Sequence, residues 1–133
     1  MRLSSSPDAS RQERTERLRR QRAAARALRV AFPAIQQLRL ELTFDSGTTN
    51  APVPQSHILH PAAQAFFEFP CPYADCDGKY DLTAAVDTAL ANKTGKARGS
   101  LECPGHRPEH YNSRRPCKLR LSYAITATYQ SGG

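Results

Sequence analysis

The chain has 133 residues, enough for one domain and cramped for two. Apolar residues make up 39% of it, below the ~45–50% usual in globular proteins, and no run approaches the ~18 apolar residues of a membrane span. The formal charge of +7 is uneven: residues 1–30 carry nine Arg against Asp8, Glu13 and Glu16, giving +6, which leaves +1 for residues 31–133. Residues 1–30 also lack the apolar stretch of a secretory signal, which points to the cytoplasm and away from a disulfide scaffold.

Residues 1–9, MRLSSSPDA, are small and polar and read as a disordered tail. A basic helix is predicted over residues 10–32. Ser10 and Glu13 fit the S-x-x-E capping box, Arg11 to Ala31 are nearly all good helix formers, and Pro33 stops the run. Its apolar stripe of Leu18, Ala24, Ala25, Leu28 and Ala31 is thin, and the first two turns have little to bury. That half is expected to project from the domain or fray. Residues 33–133 then read as one domain. In Ile35–Phe44, Leu38, Leu40, Leu42 and Phe44 alternate with polar residues, the period of a half-buried strand. Residues 45–62, rich in Pro and turn formers, read as a long loop, and residues 63–71 as a second strand with Phe67, Phe69 and Cys71 in phase. Asp81 precedes a core-facing helix, Leu82–Ala91, with Leu82, Ala85, Val86, Ala89 and Leu90 on one stripe. A short strand, Ser100–Cys103, and a long one, Cys117–Tyr129, complete the chain around a polar loop.

The cysteines are Cys71, Cys76, Cys103 and Cys117. Cys103 ends the third predicted strand and Cys117 begins the fourth, so a hairpin sets them opposite each other at its neck. A crossover through the helix would end the second strand, with Cys71, at the same end of the sheet. Cys76 follows on a turn containing Gly78. By parity, Cys71, Cys103 and Cys117 all face the buried side. Four soft ligands converging on one end of a small sheet suit tetrahedral Zn²⁺. His106, at C-x2-H spacing from Cys103, is the alternative to Cys117 as fourth ligand, and buried free thiols are the alternative to any metal.

C-P-Y-A-D-C-D-G resembles a zinc knuckle, and C-P-G-H the start of a second one. Over roughly residues 67–121 the chain resembles zinc ribbons and treble-clef-like zinc modules, although its first knuckle is two residues longer than the usual C-x2-C. The resemblance implies a structural zinc and a binding or structural role. The fold expected is therefore α+β: a four-stranded, largely antiparallel sheet in order 1-2-4-3, one packed helix, a zinc knuckle at one end and an N-terminal basic helix.

No G-x-S-x-G, H-E-x-x-H, P-loop or G-x-G-x-x-G occurs, and the cysteines look committed to a closed site, so no enzyme is expected. Arg11, Arg14, Arg17, Arg19, Arg20, Arg22, Arg26 and Arg29 lie on the basic helix. Arg107, Arg114, Arg115, Lys118 and Arg120 form a second cluster around Tyr111, which could stack on a base. Phosphate backbone of RNA or DNA is a natural partner for both, without sequence specificity. The competing reading is an adaptor or assembly module, whose partner is an acidic protein surface or a protein that docks on Leu18, Leu28 and the neighbouring alanines.

Overall fold

The computed structural model describes residues 7–47, 51–73, 75–109 and 113–129, and of residues 7–11 the backbone alone. Alternation in one strand organises what surrounds it. In β1 (Ile35–Asp45), Ile35, Leu38, Leu40, Leu42 and Phe44 are buried while Arg39 and Glu41 are exposed. Strand β8 (Arg120–Tyr129) pairs with it antiparallel, setting Ile125 opposite Leu40 and Leu121 opposite Phe44 on the same face. Strand β5 (Lys96–Glu102) continues the sheet beyond β8, and β2 (Val53–Leu59) flanks β1 on the other side. The sheet order is thus β2-β1-β8-β5, antiparallel throughout. Helix α3 (Thr83–Ala91) packs over β5 and β8 and, with Leu82 just before it, buries Val86 and Ala89 in the same core. The class is the expected one: α+β, with a four-stranded antiparallel sheet and one helix packed on it.

The strand order is not the expected 1-2-4-3. The first strand is interior rather than an edge, and pairs directly with the last. The partner on its other side comes from the stretch read as a loop. Strand β2 escapes the eye because it is an edge: Val53 and Ile58 are more than two-fifths exposed, and Pro54, tolerated only at an edge, interrupts it. Residues 63–71 leave the sheet. Only Glu68–Pro70 (β3) is extended, and it pairs with Lys79–Asp81 (β4) in a separate short hairpin. Phe67, Phe69 and Cys71 are all buried, so their alternation was real. Alternation names a face but not a pairing partner, and Pro70 cannot donate to a central ladder.

The basic segment also differs. Helix α1 spans Pro7–Ala24, and after a break a short α2 covers Leu28–Ala31. Ser10 therefore lies inside the helix rather than at its cap. Ala23, Ala24 and Ala25 would happily continue a helix, so local propensity does not cause the break. Tertiary pairing does. Ala65 N–H donates to Arg26 O at 2.7 Å, Leu28 N–H donates to Ala63 O at 2.6 Å, and Leu28 becomes fully buried.

The β3–β4 hairpin is fastened to the sheet by Tyr80. Its ring lies 5.6 Å from that of Phe44, and its buried hydroxyl donates to Leu119 O at 2.6 Å, just before β8. Removing the hydroxyl takes away one of the two donors on that carbonyl, Cys103 N–H being the other, at a cost of about 1 kcal/mol. Tyr80→Phe should lower the thermal midpoint by roughly 3–8 °C in a calorimetric scan, without loss of the sheet signal in circular dichroism.

Candidate metal centre

Each sulfur is delivered by the end of an element. Cys71 follows β3, and its N–H donates to Gly78 O at 3.1 Å across the turn. Cys76 sits on that turn, with its N–H on Tyr73 O at 3.2 Å. Cys103 follows β5 and donates to Leu119 O at 2.9 Å, while Cys117 donates to Gly105 O at 2.9 Å. These two bonds hold the neck of the β5–β8 hairpin. Beyond the neck, His106–Pro108 (β6) pairs with Arg114–Pro116 (β7). Lys118 adopts φ 56°, a left-handed turn between Cys117 and buried Leu119.

The four sulfurs lie within 4.8 Å of one another, with Cys71 Sγ 3.8 Å from Cys117 Sγ and Cys76 Sγ 3.5 Å from Cys103 Sγ. A disulfide needs about 2.05 Å, so these are free thiols. A tetrahedral ion with metal–sulfur bonds of about 2.3 Å needs sulfurs about 3.8 Å apart. The set could hold a metal ion. Backbone amides also turn towards it: Gly78 N–H donates to Cys76 Sγ at 3.3 Å and Gly105 N–H to Cys103 Sγ at 3.4 Å. Such donors stabilise thiolates.

Burial pulls the other way. Desolvation raises the Cys71 thiol far above its ordinary range and pushes Cys103 up to about 12, against the backbone hydrogen bonds from Tyr73 and Gly105. Charge on the neighbouring cysteines adds to both shifts. A dication among the sulfurs would reverse this balance, since its own charge is the largest in the site.

The two knuckles meet backbone to backbone. A Cβ added to Gly78 would lie 2.5 Å from Cys103 Sγ and 2.8 Å from Gly105 Cα, and one added to Gly105 would strike the Gly78 backbone and Asp77 Oδ1. Asp77 and Asp75 clamp this contact from outside. Asp77 accepts from His106 N–H at 2.7 Å and from Arg114 at 2.6 Å. Asp75 takes a two-point contact from Arg107, Nε at 2.7 Å and Nη2 at 3.3 Å, and Arg107 also stacks on Tyr73, 3.9 Å from its ring centre. The hydrogen bond from Arg107 holds the Asp75 carboxyl below its ordinary range.

His106 contributes its backbone to the clamp, and its imidazole is not among the clustered donors. Arg107 and Arg114, expected to face phosphate, are tied to aspartates instead. The larger correction is Arg14. Expected on the exposed half of the helix, it is only 6% exposed and donates to two carbonyls of the first knuckle, Cys76 O and, at 3.3 Å, Cys71 O. Four residues on, Leu18 is buried, and four beyond that Arg22 lies over Phe66, 5.2 Å from its ring centre, with Glu68 O at 3.4 Å. Arg14, Leu18 and Arg22 form one inward stripe at i, i+4 spacing. That spacing is visible in the sequence, but so many arginines surround it that nothing marks these two. Arg19, Arg20, Arg26, Arg29, Arg115 and Lys118 are exposed. Tyr111 and the side chain of Arg11 lie outside the described residues.

Among the described residues no helix is long and apolar enough to cross a membrane. Comparison of the chain with protein-family models, curated proteins and solved structures finds no match.

Because no side chain fits between the knuckles, Gly105→Ala should weaken Zn²⁺ retention at least about tenfold in competition with a chromophoric chelator, comparable to losing an outer-shell partner. His106→Ala should retain zinc within about twofold, while Cys117→Ser should lose most of it.

Proposed function

We propose that the chain is a non-catalytic, zinc-stabilised module of the cytoplasm that binds the phosphate backbone of nucleic acid through its outward arginines. The donor set supports zinc: thiolates are soft ligands, the four sulfurs lie within 4.8 Å of one another, and four sulfurs on a tetrahedral ion would leave no coordination position open for substrate or activated water. A reducing compartment would keep such thiols ready for metal.

The observation that carries the partner is the direction in which α1 is turned. Its one buried leucine, Leu18, faces the domain, as does Leu28 of α2. An adaptor that docks through those two residues has lost its surface. What remains outward is cationic. Arg17, Arg20, Arg26 and Arg29 are exposed and have no partner among the described residues, and Arg19 has only a 3.2 Å pair with Glu16. An exposed pair of that kind contributes only about 0.3–0.5 kcal/mol and yields readily to phosphate. A second basic surface lies beside the cysteines, where exposed Arg115 and Lys118 line a cleft of about 220 Å³ together with Tyr73, Cys117 and the Asp75-paired Arg107. Neither surface carries a row of base-reading groups, so contacts to the backbone dominate and sequence preference is weak. An acidic protein surface would meet the same charges without the regular spacing of phosphates.

Arg17 and Arg20 are suited to a test, because neither takes part in holding α1 on the domain. Full-length protein should bind mixed-sequence single-stranded RNA or DNA at low salt, with affinity falling by about 0.7–0.9 log units per log unit of salt for each phosphate contacted. The double variant Arg17→Gln, Arg20→Gln should lower that slope by about 1.5 at unchanged zinc content. Absence of binding at about 50 mM salt, or an unchanged slope in the variant, would contradict the reading.

A further inference from the structure

We infer that α1 is a metal-dependent part of the module: Arg14 ties the helix to the loaded cysteine site, so that metal binding and helix docking are one linked equilibrium. This rests on the reading of the four cysteines as a metal site.

Arg14 is an odd residue to bury. Its guanidinium is enclosed, its Nε is without a partner among the described residues, and none of the ion pairs formed there includes it. A buried cation without a countercharge is strongly disfavoured. The groups it does reach are the carbonyls of Cys76 and Cys71, two residues whose sulfurs are in the cluster. Four thiolates around one dication carry a formal charge of −2. The loaded site therefore supplies what Arg14 lacks, and Arg14 offsets part of what the loaded site carries.

Geometry adds a second link. The acceptors for Arg14 lie on the turn after β3, and that turn is held by a three-residue ladder to β4, by the contacts of Asp75 and Asp77 with the second knuckle, and by the sulfurs it contributes. Losing the ion removes the link among the sulfurs and loosens the turn that carries the acceptors, leaving the aspartate contacts and the short ladder to hold it. Among the described residues the remaining side-chain anchors of α1 are few: Leu18, and Arg22 on the ring of Phe66 and the carbonyl of Glu68. A helix with so little apolar contact among its described residues is held marginally, so withdrawing one anchor shifts its equilibrium. Linkage is reciprocal: whatever holds α1 down tightens the metal, and whatever pulls Arg14 away loosens it.

Hydrogen exchange on the full chain reads both halves of the equilibrium. In the zinc-loaded protein, amides of residues 12–24 should be protected. Removing zinc with a chelator should lower that protection at least about tenfold while β1 and β8 change little. Zinc-loaded Arg14→Gln should show the same exposed helix over an intact sheet, and should bind zinc about 10–100-fold more weakly in chelator competition. Leu18→Ala is the second variant. It removes an anchor one helical turn from Arg14, and a linked equilibrium requires it to weaken zinc as well, whereas a purely local role for Arg14 does not. Equal protection of residues 12–24 with and without zinc would overturn the inference. So would unchanged zinc affinity in both variants, or loss of β1 and β8 protection together with the helix. A wild-type chain that takes up no zinc would instead sink the metal reading itself.

Discussion

Four sulfurs within 4.8 Å of one another fix where three separate stretches of this chain must be. Cys71 and Cys76 come from a short hairpin, and Cys103 and Cys117 from the neck of a longer one. The hairpins belong to different ladders, and at the site they touch through two glycines that have no room for a side chain. Other features of this end of the molecule serve that approach. Asp75 and Asp77 hold the second knuckle to the first, Tyr80 pins the first hairpin to the start of β8, and Arg14 covers the carbonyls of Cys71 and Cys76.

The same residue type occupies two opposed settings on one helix. Facing in, Arg14 and Arg22 use planar guanidinium groups to meet backbone carbonyls and an aromatic ring, contacts that lysine would make poorly. Facing out, Arg17 and Arg20 are exposed to solvent. Composition cannot separate these roles, because it counts charge without direction. A helix turned by one residue would present a different charge pattern to a partner, so the stripe that docks α1 also determines what α1 displays.

Much of the fold could be read from alternation. Leu38 to Phe44 and Leu121 to Ala127 write out the two central strands, and Leu82, Val86 and Ala89 write out the helix that covers them. The hairpin linking β5 to β8 placed Cys103 opposite Cys117, and the structure brings those two beside Cys71 and Cys76. What stayed hidden has physical reasons. Strand β2 is an exposed edge with a proline in it, so it carries no buried face to betray it. Residues 67–71 showed a true period but belong to a local hairpin, and pairing is a long-range choice that no local pattern encodes. The break at Ala25 is made by the chain at Ala63 and Ala65. Arg14 was invisible for the same reason: its carbonyl acceptors lie 57 and 62 residues away.

X-ray absorption at the zinc edge of the purified full-length protein tests the central claim most directly, because it counts the atoms around the metal and measures their distances. Four sulfurs at about 2.3 Å, with no nitrogen or oxygen in the shell, is the result predicted by the convergence of Cys71, Cys76, Cys103 and Cys117. A shell containing a histidine nitrogen at about 2.0–2.1 Å, or protein that holds no zinc, would contradict it.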